Sequence, residues 1–166
     1  MMPDISQARH SFLVLFISAM SLMSCQDKNL ITVDGIHQIV DAWHEAATNA
    51  DFDAYFKVLD EHSIFIGTDA HERWTKSEFQ EYSKPYFDQG EAWDFKVKSR
   101  HVEFAKDGKV VYFDELLDTW MGICRGSGIL ELSDGEWKIV LYHLSITVPN
   151  DLIQDYLILL ETHNAE

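Results

Sequence analysis

The spacing of apolar and polar positions changes period partway along this chain. Ile36, Ile39, Val40, Trp43 and Ala47 fall at i, i+3, i+4, i+7 and i+11, one face of an amphipathic helix. Asp34 stands where its N-cap belongs. A second, short helix is predicted from Asp51, with Phe52, Tyr55, Phe56 and Leu59 inward. Residues 63–67 are apolar and β-branched and read as a strand. Thr75-Lys76-Ser77-Glu78 is a capping box, with Trp74 and Phe79 at the hydrophobic-staple positions. The third helix runs on through Tyr82. Pro85 is expected to end or kink it, and Gly90 to close the segment.

From Trp93 the period becomes that of strands. Residues 94–105, 109–120, 124–132 and 137–148 read as four antiparallel strands, reversed at Asp107-Gly108, Met121-Gly122 and Ser133-Asp134-Gly135-Glu136. Asn150-Asp151 is placed to cap a last helix with Leu152, Tyr156, Leu159 and Leu160 on one side. Two helices, a strand, a helix and then four strands make an α+β fold. Its expected shape is a cone-shaped curved antiparallel β-sheet with helices packed on its concave face, and the open end of the cone is a natural pocket.

The turns set a register. Leu132 pairs with Trp137, Leu130 with Ile139, Gly128 with Leu141, Gly126 with His143, and Cys124 with Ser145. Glu131 opposite Lys138 marks the outer face. On the preceding strand Phe113, Glu115, Leu117 and Thr119 point inward, with Glu115 beside Gly128 and Asp118 opposite Arg125 outside. The two glycines leave space where polar groups begin. A one-residue bulge would invert the assignment, and Arg125-Gly126-Ser127-Gly128 is a natural place for one.

This register puts Glu115, His143, Ser145, Cys124 and Thr119 in the pocket. Glu115 and His143 could form an acid/base pair in an apolar cone. Each also has a plainer role: Glu115 as salt-bridge partner of Arg100 or His143, His143 as a satisfied core histidine, Cys124 as packing. Arg125 would reach an anionic ligand only if a bulge turned it inward. Thr68 and Asp69 lie at the mouth, where Asp69 either closes an Asx-type turn or lines the entrance. Trp74 is better explained by the staple than by a ligand. The histidines and acids show no metal-ligand spacing such as His-Glu-x-x-His, so neither a metal nor a cofactor is expected. Ile129, Val140, Tyr142 and Leu144 form an apolar stripe outside, which suggests a homodimer through the outer sheet face.

Composition narrows the partners. The 166 residues are 46% apolar and 13% aromatic, enough for a sizeable core, and carry a formal charge of −15. That charge argues against nucleic acid, whose phosphates it would repel. Ser11 to Met23 is a run of 13 residues without charge, too short for a membrane span of about 20 residues. It fits the apolar core of a secretory signal. Leu22-Met23-Ser24-Cys25 directly after it resembles the lipobox of a bacterial lipoprotein. That resemblance implies cleavage before Cys25, acylation of Cys25, and a place in the bacterial cell envelope on the periplasmic side. Contact with membrane would be only through the lipid anchor. The expected organisation is signal peptide 1–24, tether 25–33, domain 34–150 and C-terminal helix 151–166. With Cys25 acylated, Cys124 has no disulfide partner in the chain.

The segments FIGTDAHERW, FDELLD, CRGSGILEL and GEWKIVLYHLSITVPN, after a Trp-containing first helix, together look like the SnoaL-like branch of the nuclear transport factor 2-like superfamily. The resemblance runs from about Ile36 to Asn150. It implies the cone fold and a frequent dimer, but no single activity: relatives include isomerases, dehydratases, epoxide hydrolases, polyketide cyclases and non-catalytic binding modules. Three functions stay open. The cone could bind a small, largely apolar molecule. It could be an isomerase, dehydratase or hydrolase with Glu115 as base and His143 as acid or orienting group. Or it could be an accessory domain that binds a protein through its sheet.

Overall fold

The computed structural model describes residues 31–90 and 92–164, so the signal and lipobox lie outside the described residues. Helix α1 (Val33–Thr48) starts ahead of the expected cap. Thr32 is the N-cap, its hydroxyl accepting from the Gly35 N–H at 3.1 Å, and Asp34 sits in the first turn, where its charge suits the helix dipole. Helix α2 (Phe52–Lys57) is capped by Asp51. Strand β1 (Leu59–Ile66) begins earlier than its β-branched core and takes Leu59 from the helix.

A short strand β2 (Arg73–Thr75) leads into helix α3 (Lys76–Asp88), where both bonds of the capping box form. Trp74 and Phe79 stack at 5.5 Å, as the staple requires. Pro85 lies inside α3 without ending it. Pro85 is exposed, so water can reach the Glu81 carbonyl it leaves without a donor, and buried Phe87 anchors the last turn. Gly90, with φ +73°, closes the segment.

Strands β3 (Lys96–Phe104), β4 (Val110–Thr119), β5 (Gly122–Ser133) and β6 (Glu136–Ile146) form the predicted antiparallel meander. The six strands lie in the order β2-β1-β6-β5-β4-β3 in one curved, open sheet. One pairing departs from the expected antiparallel pattern: β1 runs parallel to β6. The intervening helix and strands supply the long crossover that a parallel pair needs.

The β4–β5 hairpin turns at Trp120-Met121, with Thr119 opposite Gly122, rather than at Met121-Gly122. That slides the register by two residues and leaves the faces unchanged. Glu115 therefore faces Gly126, Phe113 faces Gly128, and Arg125 stands opposite Leu116. Its guanidinium pairs with Asp114 at 2.5 Å instead of Asp118.

At the β5–β6 hairpin, Asp134 and Gly135 both have positive φ (51° and 86°), a turn whose twist matches the strands. The predicted pairing holds from Leu132–Trp137 to Leu130–Ile139. Ile129 then pairs with Leu141, so Val140 is an extra residue and β6 carries the bulge, not the Arg-Gly-Ser-Gly segment. Beyond it Gly128 faces Tyr142, Gly126 faces Leu144 and Cys124 faces Ile146. Tyr142 and Leu144 are buried, while His143 is exposed. The expected outer stripe loses both of those residues to the core.

Helices α1, α2 and α3 cover the inner face. Ile36, Val40, Trp43, Tyr55 and Phe79 pack with Phe65, Phe113, Leu117, Leu130, Ile139 and Tyr142 in one core. After a 3₁₀ turn (Asn150–Leu152) with Pro149 at its N-cap and no capping side chain, helix α4 (Ile153–Asn164) leaves Tyr156, Leu157, Ile158 and Leu159 exposed.

The bulge yields a direct prediction. Deleting Val140 and Leu141 together would remove the bulge and one ladder position, bring Tyr142 opposite Ile129, turn Tyr142 and Leu144 outward and drive His143 into the core. Misplacing that many core groups should cost at least ~4 kcal/mol, read by urea unfolding. A double-deletion variant of native stability would show that the alternation of β6 past Ile139 does not set the inner face.

Candidate functional site

Glu115 is wholly buried at the base of the cone, and every contact to its carboxylate is a donor from another element. The His44 Nε2 of α1 donates to Oε1 at 2.8 Å, and the Tyr142 hydroxyl of β6 donates to the same oxygen at 2.9 Å. The Arg100 Nε of β3 donates to Oε2 at 2.8 Å. The Arg100 Nη2 lies 2.8 Å from Oε2 as an ion pair without hydrogen-bond alignment. Nη1 of the same guanidinium donates to Asp41 Oδ1 at 2.7 Å and to the His37 carbonyl at 3.3 Å.

Burial pushes the Glu115 carboxyl upward, but His44 and Arg100 outweigh it and hold the group below the usual carboxylate range. Tyr142 moves the other way: burial first, and then the Glu115 charge, raise its phenol well above the ordinary value. The network fits only because β5 has no side chain beside it. A Cβ at Gly126 would stand 2.2 Å from the Tyr142 hydroxyl and 2.9 Å from Glu115 Oε1.

Nearer the mouth lies a second, chemically different space. A cavity of about 150 Å³ is walled by Phe65, Trp74, Phe79, Tyr82, Trp93, Phe95, Trp120, Met121 and Leu144, with Gly67, Thr68 and Glu72 at one side. It is mostly aromatic, and Glu72 is its one charged lining residue. Apolar cavities of roughly this size hold a benzene-sized molecule. Glu115 does not line it. A shallower cleft on the other side of Phe95 is polar, lined by Asp41, His44, Glu45, Thr48, Asn49, Asp94, Lys96 and Val97.

The residues singled out from the sequence scatter over three settings. Glu115 faces inward as expected, but His143 lies on the opposite face, exposed, so the two are not brought together. Of the plainer partners suggested for Glu115, Arg100 is the one in place. Ser145 and Arg125 are outside with His143. Ser145 donates weakly to the Arg125 carbonyl at 3.4 Å.

Thr119 and Cys124 are inside, 3.5 Å apart (Oγ1 to Sγ), yet neither lines the cavity. Thr68 does line it. Asp69 does not: its carboxylate accepts from the His71 N–H at 2.9 Å, the Asx-type turn. Trp74 forms the staple as expected, stacked on Phe79, and its ring also lies in the cavity wall. Sequence reasoning named Arg100 but missed His44 and Tyr142 as partners of Glu115, and the aromatic wall. The dense aromatic spacing from Trp74 through Phe95 and at Trp120 was the available signal.

Comparison with known proteins agrees with the fold. The SnoaL-like domain family matches residues 36–149. No curated protein matches the chain. Among solved structures, an NTF2-like protein of unknown function from Pseudomonas putida KT2440 is 14% identical, covering 71% of this chain and 88% of its own, with a TM-score of 0.60. A candidate dehydratase of the NTF2-like family from Streptomyces avermitilis is 13% identical over 70% of this chain and 96% of its own, TM-score 0.59. The association domain of C. elegans CaMKII is 17% identical over 68% and 94%, TM-score 0.56. At these identities the likeness is one of fold.

The buried carboxylate predicts an acid-sensitive stability. Its folded pKa lies below the unfolded value of about 4.3. Its contribution is therefore present in full above that value and is lost as pH falls through the lower folded one. Glu115→Gln also strands the buried Arg100 guanidinium, at a cost of about 3–5 kcal/mol near neutral pH. Urea unfolding of both proteins between pH 3 and 7 should show the gap narrowing toward the acid end. A gap that stays constant across that range would mean the carboxylate charge is not what holds the network.

Proposed function

The chain belongs to the SnoaL-like domain family, and on that premise we propose that its cone binds a small, largely apolar molecule in the aromatic cavity at the mouth. The observation that carries this reading is the separation of the two inner sites. The open cavity has an aromatic wall suited to a ligand. The buried carboxylate, the natural candidate for catalysis, is outside that cavity and already engaged at both oxygens.

The isomerase, dehydratase or hydrolase reading has less support. A general base needs a free lone pair within reach of substrate and a pKa near the working pH. Glu115 has donors on both oxygens and is pushed below the carboxylate range. Its proposed acid partner, His143, is on the other face of the sheet. Glu115 reads instead as the post on which helix α1 is hung.

We further propose that the domain is tethered at the cell envelope through acylated Cys25. The support is the uncharged run ending in Leu22-Met23-Ser24-Cys25. Expression of the whole chain in a Gram-negative host, followed by fractionation, should find it in membranes, and Cys25→Ala should release it. A wild-type chain recovered wholly soluble, with its first residues intact by mass spectrometry, would overturn the anchor.

The cavity is tested with cyclohexanol, a neutral compact probe, followed by tryptophan fluorescence. Saturable binding is expected, and Thr68→Trp, which fills the mouth from an exposed position, should weaken it at least about tenfold, the loss of roughly 1.4 kcal/mol of binding. Its unfolding midpoint should stay unchanged. Undiminished binding by the blocked variant would place the probe elsewhere.

A further inference from the structure

The cavity has an electrostatic character that an apolar ligand alone does not use. Trp74, Tyr82, Trp93 and Trp120 supply electron-rich faces, and the only charge among the lining residues is the carboxylate of Glu72. No Lys, Arg or His lines it. Glu72 makes no ion pair among the described residues, whereas Glu61, Asp88, Asp94 and Glu136 each make one. Its Oε2 accepts from the Asp69 N–H at 3.1 Å, and Oε1 has no partner among the described residues.

The backbone keeps a seat for this carboxylate. A Cβ at Gly67 would stand 2.2 Å from Glu72 Oε2, so only glycine leaves the side chain where it lies. The Gly67 N–H also donates to the Glu72 carbonyl at 2.8 Å, closing the loop around it. The charge is felt across the site: burial, Tyr86 and Glu72 together push the Tyr82 phenol upward.

From this combination we infer that the cavity takes an organic cation, an alkylammonium or quaternary ammonium group carrying small apolar substituents. The inference rests on the reading that the cavity is a ligand site and names the ligand's class. A neutral apolar guest would strip water from Glu72 without pairing it, which is costly. An anion would be repelled. A cation satisfies both the carboxylate and the ring faces.

Three probes of similar shape separate the charge from the apolar bulk: choline, its neutral carbon analogue 3,3-dimethylbutan-1-ol, and the anion 3,3-dimethylbutanoate. Titrations at 150 mM salt, followed by tryptophan fluorescence and calorimetry, should rank them in that order, with choline on the order of tenfold tighter than the alcohol. Glu72→Gln keeps an acceptor for the Asp69 N–H and should erase the preference while the alcohol still binds. Trp120→Leu removes an exposed ring and should weaken choline more than the alcohol. Glu103→Gln on β3, at the far edge of the sheet, controls for the acidic surface as a whole and should leave the ranking intact.

Equal binding of choline and the alcohol, or a preference for the alcohol, overturns the cation assignment and leaves the apolar site standing. A preference that survives Glu72→Gln but disappears in Glu103→Gln overturns it as well, because the general field would then be the cause. Failure of both probes to bind up to millimolar concentration overturns the ligand site together with its charge.

Discussion

One buried charge organises this domain. Glu115 projects from the middle of β4 into a core that would expel it unless several donors met it there. They come from α1, β3 and β6: His44, Arg100 and Tyr142. Each carries its backbone with it. The bond to His44 fixes how deep α1 sits in the cone, and Arg100 ties the same helix to β3 a second time through Asp41 and the His37 carbonyl. Tyr142 can reach only because the bulge at Val140 turns it inward, and the carboxylate and hydroxyl can meet only because residue 126 is glycine. A helix pinned by apolar contacts alone could slide. One pinned at a buried ion pair cannot slide without stranding a charge.

The same network explains why the cone is divided. Its base is filled by the carboxylate and its donors, with Trp43 and Tyr55 stacked at 5.0 Å beside them. The aromatic recess occupies the upper part, bounded below by Phe65, Phe79 and Leu144. Phe65 is the partition. Its ring lies 3.9 Å from that of Phe79 on the cavity side and 5.6 Å from that of Tyr142, whose hydroxyl reaches Glu115. The two halves thus differ in kind: a rigid polar lock beneath, and an aromatic recess above, whose rim includes the largely exposed Trp120 at a hairpin tip.

How much of this the sequence revealed depended on the range of the interaction. The capping box at Thr75, the Asx-type turn at Asp69 and the turn at Asp134-Gly135 are set by neighbours a few positions apart, and all form as read. The side of β4 that carries Phe113, Glu115 and Leu117 followed from alternation. Register beyond Val140 did not, because Ile-Val-Leu offers three apolar side chains in a row and alternation cannot tell which one is the extra. That single ambiguity placed His143 inside and Tyr142 outside. Arg100 was read as a partner of Glu115, but His44 was out of reach for another reason: it lies 71 residues away, and helix depth against a sheet leaves no local mark. Trp74 was read for one role because the staple already explained it. A residue can satisfy a local rule and still face a cavity.

The placement of β6 also sets an order of events. It lies between β1 and β5, joining the helix-bearing first half of the domain to the meander, yet it is the last strand in the chain. The meander can zip from local hairpins, but β1 has no parallel neighbour to settle on until β6 has been made. Contacts of that separation form slowly, because the loop entropy is lost before any pairing repays it. Until Tyr142 and His143 are available, Phe65 and the ring system around it have only the short β2 beside them. The domain closes from its C-terminal side, and its aromatic recess is the last part of it to come into being.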